Sequence, residues 1–290
     1  MFSNHKDIYV RELSVCAIEK IREANIIPCL IETLRNAESE EERETIARTL
    51  GEMGVYEAIP NLIKALNDDS WLVRRLAAYA LGILGAREAI PQLIRILNDD
   101  IEDIDTRKKA AHALGNLGAI EAIPHLIKVF NNVDSNIKST FPSSDENVMM
   151  GSSNINSLPS EYELHILGYQ MLSLRFVTAE ALGKLGATQI IPDLIKLLDG
   201  NEYEQPIACL ALADLRAREA IPQIMKTITK NGSDAHRIAT IALIELGEIP
   251  TDPKNTILLI QNELLNRGLY NEDMRNHAIN ALNTLRAFSV

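Results

Sequence analysis

Arg74-Arg75-Leu76-Ala77-Ala78-Tyr79-Ala80-Leu81-Gly82-Ile83-Leu84-Gly85, followed by Ala86-Arg87-Glu88-Ala89-Ile90-Pro91-Gln92-Leu93-Ile94-Arg95-Ile96-Leu97 and closed by Asn98-Asp99-Asp100, reads as two helices and two turns. In the first block Ala77, Ala80, Leu81 and Leu84 fall on one helical stripe; in the second Ile90, Leu93, Ile94 and Leu97 do the same. Both stripes follow i, i+3, i+4, i+7 spacing, so each helix buries one face and leaves the other to water. Gly85 fits a left-handed C-terminal cap, and Pro91 fits the first turn of the next helix, where a missing N–H costs nothing.

The same phrase recurs along the chain. Ile-Pro stands at Ile27-Pro28, Ile59-Pro60, Ile90-Pro91, Ile123-Pro124, Ile191-Pro192, Ile221-Pro222 and Ile249-Pro250, mostly about thirty residues apart, and Gly54, Gly118, Gly186 and Gly247 share the phase of Gly85. A fixed period of this length is the mark of a repeat array. Inner helices are expected near 8–23, 43–54, 74–85, 107–118, 165–186, 205–216, 235–247 and 274–286, with outer helices between them. The Asn-Asp-Asp turns at 67–69 and 98–100 offer caps for the helices that follow. Arg11, Arg43, Arg74, Arg107 and Arg175 form a column at a constant distance before the first five prolines. Such a column fits either a phosphate-binding stripe or a structural ladder between repeats, and the acidic turns beside it favour the ladder.

Ala78-x-Ala80-Leu81-Gly82-x-Leu84-Gly85 with Glu88-Ala89-Ile90-Pro91, Ala111-x-Ala113-Leu114-Gly115-x-Leu117-Gly118 with Glu121-Ala122-Ile123-Pro124, and Ala179-x-Ala181-Leu182-Gly183-x-Leu185-Gly186 resemble the HEAT-like repeats named for phycobiliprotein lyases. The resemblance covers most of the chain. It implies an all-α fold, an α-solenoid of about seven to eight HEAT-like helix pairs wound into a right-handed superhelix. A repeat class of this kind serves many partners, so the fold alone does not fix the task.

Composition agrees with stacked helices. Hydrophobic residues make up 46% of the chain but aromatic ones only 4%, so the cores are built from Ala, Leu and Ile. No apolar run reaches the length of a membrane span, and the N-terminus lacks a secretory hydrophobic segment, so a cytoplasmic protein without membrane contact is expected. Cys16, Cys29 and Cys209 are an odd set without Cys-x-x-Cys spacing and are expected to be free thiols. A net charge of −11 argues against a nucleic-acid partner.

One interval breaks the period. The Asn/Ser-rich stretch 131–163 reads as a flexible loop insertion separating N-terminal repeats over 1–130 from C-terminal repeats over 164–290 of one continuous solenoid. It is either a functional cover for the adjoining edge or a tolerated insertion.

Motifs for catalysis are missing: the chain contains no His-Glu-x-x-His, no phosphate-binding Gly-Lys-Ser/Thr loop and no Gly-x-Ser-x-Gly elbow. A di-iron hydroxylase shares this architecture and holds its metal with repeated His-Glu pairs. Here His5, His112, His125, His165, His236 and His277 are not followed by Glu, so no metal and no resident cofactor are expected.

What varies from repeat to repeat is the inner-helix position expected on the concave face. Cys16, Arg48, Tyr79, His112, Glu180, Leu210, Ile241 and Asn280 form one such row, and Arg75, Lys108 and Phe176 belong to a second near the helix starts. A constant framework with a variable row is the pattern of a binding surface. Arg48, Trp71, Arg75, Tyr79, Lys108, His112, Phe176 and Glu180 are the candidate partner-binding residues, rich in the aromatic and arginine side chains that anchor interfaces. The expected function is a non-catalytic scaffold that binds another protein in its concave groove. The resemblance implies an alternative: a phycobilin lyase subunit or related chromophore-handling factor, with arginines pairing the propionates of a transient bilin.

Overall fold

The computed structural model describes residues 26–140, 161–200, 204–228, 234–248, 256–258, 260–261 and 272–288. Among them every regular element is helical. The chain divides into two compact units, Met1–Ala122 and Ile123–Val290.

The first unit contains α1 (Ile26–Asn36), α2 (Glu40–Glu52), α3 (Ile59–Ala65), α4 (Trp71–Ile83), α5 (Ile90–Asn98) and α6 (Ile104–Asn116). Inner helices α2, α4 and α6 stack on one another, while α1, α3 and α5 form the outer layer. Ile59-Pro60 and Ile90-Pro91 each open an outer helix with the proline in its first turn, preceded by the 3₁₀ turns Tyr56–Ala58 and Arg87–Ala89. The core is Ala and Leu: Ala47, Leu50, Leu62, Ala77, Leu81, Leu93, Leu97 and Leu114 are fully buried. Small residues set the spacing of the stack. A Cβ on Gly51 would lie 2.6 Å from that of Ala80, and one on Gly82 would lie 2.9 Å from that of Ala113.

The second unit contains α7 (Ile123–Thr140), α8 (Glu161–Lys184), α9 (Ile191–Leu197), α10 (Glu204–Asp214), α11 (Ile221–Ile228), α12 (Asp234–Glu245) and α13 (Glu272–Phe288). Inner helices α8, α10, α12 and α13 stack in order, with α7, α9 and α11 paired to them. Residues 205–213 of α10 are all buried, so that helix is enclosed on every side.

Three expectations are corrected at the level of elements. Inner helices of the first unit begin at Glu40, Trp71 and Ile104 rather than at the arginines, and side chains cap the first and the third: Ser39 Oγ accepts from Glu42 N at 3.4 Å and Asp103 Oδ1 from Thr106 N at 3.0 Å. Neither Asn-Asp-Asp turn supplies the cap: the N-cap positions are Ser70 after 67–69 and Asp103 after 98–100, and Asp68 serves Arg43 instead. Helix α7 runs on to Thr140 and α8 starts at Glu161, so helix enters both ends of the stretch read as a loop; 141–160 lie outside the described residues. Phe130, Val133 and Ile137 stand at i, i+3, i+7, a helical spacing hidden among the Asn and Ser. The expected helix at 8–23, with Arg11 and Cys16, also lies outside the described residues.

From Arg43 onward the arginine column is structural. Arg43 Nε and Nη2 donate to Asp68 at 2.8 and 2.9 Å, and its Nη1 donates to the carbonyls of Ala37 and Glu38. Arg74 repeats this with Glu102 at 2.8 and 2.6 Å and with the carbonyls of Asp68 and Asp69. Each guanidinium thus ties its own helix entry to a carboxylate of the following turn, in the bidentate geometry that suits arginine and not lysine. Arg107 pairs with Asp100 at 3.1 Å, and Arg175, almost wholly buried, pairs with Glu204 at 2.9 Å and lies over the Phe130 ring. The hydrogen bonds they donate to Asp68 and Glu102 hold Arg43 and Arg74 above the usual arginine range. Burial works to raise the Asp68 carboxyl, but Arg43 and the Ser70 N–H outweigh it and hold it below the usual carboxylate range.

Candidate functional site

On α4, Trp71, Arg75, Tyr79 and Ile83 follow one another at four-residue steps, so they form a continuous stripe along one side of the helix. Trp71 is the first residue of that helix. The residue is 40% exposed, its carbonyl accepts from Thr106 Oγ1 at 3.2 Å, and the Arg75 guanidinium stands 5.1 Å from its ring centroid. Arg75 also reaches Glu44 of α2 at 3.9 Å. Tyr79 is half-buried beneath Lys109 of α6, whose Nζ stands 5.2 Å from the ring, and Ile83 ends the stripe with 47% of its surface exposed. On α6, Lys108 pairs with Asp105 at 2.5 Å and His112 Nδ1 lies 3.2 Å from Asn116 Nδ2. Arg48 of α2 is exposed. The first unit therefore brings six of the eight candidates onto its three inner helices.

Sequence reasoning missed Lys109. Its column is filled in α4 by Leu76, a buried framework position. A lysine at an apolar column was the available signal.

Phe176 and Glu180 lie on α8 of the second unit, in a different setting. Glu180 was expected on an open face but is only 7% exposed, with Oε1 2.5 Å from Lys184 Nζ. Leu210 and Ile241 of the same row are buried as well. The cause is close helix approach: a Cβ on Gly183 would lie 2.7 Å from that of Asp214, and Glu180, Phe176, Leu210 and His277 close around a cavity of about 10 Å³, room for at most one water. His277 of α13, unremarkable in its own phrase, is the centre of this cluster. Its Nδ1 lies 2.6 Å from Glu245 Oε2 on α12 and its Nε2 3.5 Å from Asp214 Oδ1 on α10. Burial disfavours the charged ring, but the two carboxylates overcome it and raise the imidazole pKa to about 10, so the ring is a cation at neutral pH. Two carboxylates at one phase of successive inner helices were the sequence signal for it. Among the described residues no group of three or more His, Cys, Asp or Glu is placed to hold a metal ion, and no helix is long and apolar enough to cross a membrane.

Stacked inner and outer helices, glycine-capped and proline-started, with a variable row on the inner layer, define an all-α helical-repeat protein, an α-solenoid. The chain is built of HEAT-like repeats: the HEAT repeat family matches residues 27–104 and 59–140, and the PBS lyase HEAT-like repeat matches residues 174–200. Among solved structures it is similar to the complex of CpcE and CpcF of phycocyanin lyase from Nostoc sp. PCC7120, at 24% identity over 88% of this chain and 93% of that one, with a TM-score of 0.51. That likeness is one of fold. Human deoxyhypusine hydroxylase in complex with glycerol also matches, at 18% identity over 93% and 99% with a TM-score of 0.35. A designed armadillo repeat protein matches at 21% over 89% and 99%, with a TM-score of 0.36. No curated protein matches the chain by sequence.

Proposed function

We propose that the chain is a non-catalytic scaffold that binds another protein on the inner face of its first unit. The observation that carries this reading is the α4 stripe: Trp71, Arg75, Tyr79 and Ile83 are contiguous, at least partly exposed, and flanked by Arg48 on α2 and by Lys108 and His112 on α6. Large amphipathic rings and guanidinium groups supply contact area at low entropic cost, which is why they dominate binding hot spots. The Nostoc protein is itself a complex of two subunits, which supports a protein partner here. Replacing Trp71→Ala together with Tyr79→Ala in the full chain is expected to leave far-UV circular dichroism unchanged and to reduce partner recovery in a pull-down from native cells at least tenfold. Undiminished recovery overturns the surface.

A second reading is favoured by the likeness to a phycocyanin lyase complex and by the repeat match at 174–200. There Arg48 and Arg75 pair the propionates of an open-chain tetrapyrrole while Trp71 and Tyr79 cover its rings. Titrating bilin into the purified chain separates the two. The scaffold reading expects an unchanged bilin absorption spectrum; a red-shifted band that disappears in the double variant replaces it with the chromophore reading.

A further inference from the structure

Five repeats end their inner helix on a glycine with positive φ: Gly54, Gly85, Gly118, Gly186 and Gly247, at +62° to +94°. In the repeat that contains α10 the same position is Arg216, at φ +53°. The turn is otherwise unchanged, since Arg216 N donates to Ala213 O at 2.9 Å and Ala217 N to Leu212 O at 2.9 Å. A Cβ in this region clashes with its own backbone, so a side chain held there is strained, and such strain concentrates where it serves a function. The arginine side chain does nothing visible for the fold. It is exposed, and among the described residues it has neither a hydrogen bond nor an ion pair, in contrast to the clamped guanidinium groups of Arg43, Arg74, Arg107 and Arg175.

Arg216 lines an open groove of about 650 Å³ on the second unit, between α9 and the turn after α10. Ile191, Ile195 and Leu215 supply an apolar floor, and Thr188 and Glu219 complete the polar rim. Glu219 belongs to the framework, since Glu57, Glu88 and Glu121 occupy its place in other repeats. Arg216 is the departure. We propose that this groove is a second docking site, for an acidic peptide segment of a partner protein: one carboxylate pairs with the Arg216 guanidinium while neighbouring aliphatic side chains rest on the floor. Charge complementarity selects this occupant. The selection is local: a groove with an apolar floor and one unpaired guanidinium fits a carboxylate set among aliphatic groups.

Fluorescence anisotropy with a labelled peptide of alternating Glu and Leu, and its Gln–Leu counterpart as the uncharged control, tests the site on the full chain. Saturable binding of the Glu–Leu peptide is expected, at least tenfold weaker for the control and for Arg216→Gly, and tighter for Glu219→Gln. Because glycine relieves the positive φ, Arg216→Gly is also expected to raise Tm, which separates lost binding from lost folding. The proposal is overturned if Arg216→Gly binds the peptide as the parent does or melts below it. Displacement of the peptide by plain succinate at equal concentration, or a dimer in sedimentation that Arg216→Gly dissolves, assigns the groove to free anions or to a second copy and equally overturns it.

Discussion

Cysteine reactivity is decided by environment at single residues. Cys209 sits in α10, the helix enclosed on every side, and burial pushes its thiol up to about 12. The thiolate is the reactive form, so at pH 8 Cys209 has almost none of it and no path for a reagent. Cys29, on the outer helix α1, is exposed. A maleimide added to the native protein is therefore expected to modify Cys29 and spare Cys209, which reacts only after denaturant is added; peptide mapping by mass spectrometry reads each site separately. Labelling of Cys209 at the rate of Cys29 in native buffer refutes this. In the sequence the two differ only by repeat and by phase. Complete enclosure of α10 is a property of the neighbours it acquires on folding.

Helix termini show what a local pattern carries and what it omits. Ser70 and Asp103 both precede inner helices and both look like N-caps. Only Asp103 acts as one, accepting from the Thr106 N–H. Ser70 makes no side-chain cap bond, and its hydroxyl is buried without a hydrogen-bond partner. Asp103→Ala is accordingly expected to cost about 1 kcal/mol, while Ser70→Ala is neutral or slightly stabilising because it removes an unsatisfied polar group. Urea melts of the two variants check the contrast, and equal losses refute it. The helix pairs, their order, the glycine caps and the proline starts were legible, because each is written in phase with the period. Less legible were contacts that cross repeats. Arg87 donates to the carbonyl of Leu117 at 2.8 Å, capping the next inner helix from the Arg-Glu-Ala-Ile-Pro turn, and nothing local marks it. The candidate row shows the same limit. Phase placed Arg48, Tyr79, His112 and Glu180 together, but whether a row is open depends on how tightly inner helices approach, and Asp214 against Gly183 closes it over Glu180.

At the scale of the whole molecule, stability against pH is shaped by groups that lie in different units. Asp68, in the first, is held below the carboxylate value of about 3.9. Its contribution is complete above that value and is lost as the pH falls through the lower folded pKa. His277, in the second, is raised to about 10. Its contribution is complete below the ordinary value of about 6.5 and is lost as the pH climbs through 10. The denaturant midpoint is thus expected to fall on both sides of a mildly acid to neutral plateau. Asp68→Asn diminishes the acid limb, and His277→Gln diminishes the alkaline one. Stacked repeats lose stability locally, since each contacts only its neighbours. Hydrogen exchange, corrected for intrinsic rates, should therefore show acid opening concentrated in α2 to α4, where the Arg43–Asp68 clamp joins the helices. Alkaline opening should concentrate in α13, which loses the cation held between Asp214 and Glu245. Equal loss of protection in both units at both extremes would show a single cooperative block and remove the local account.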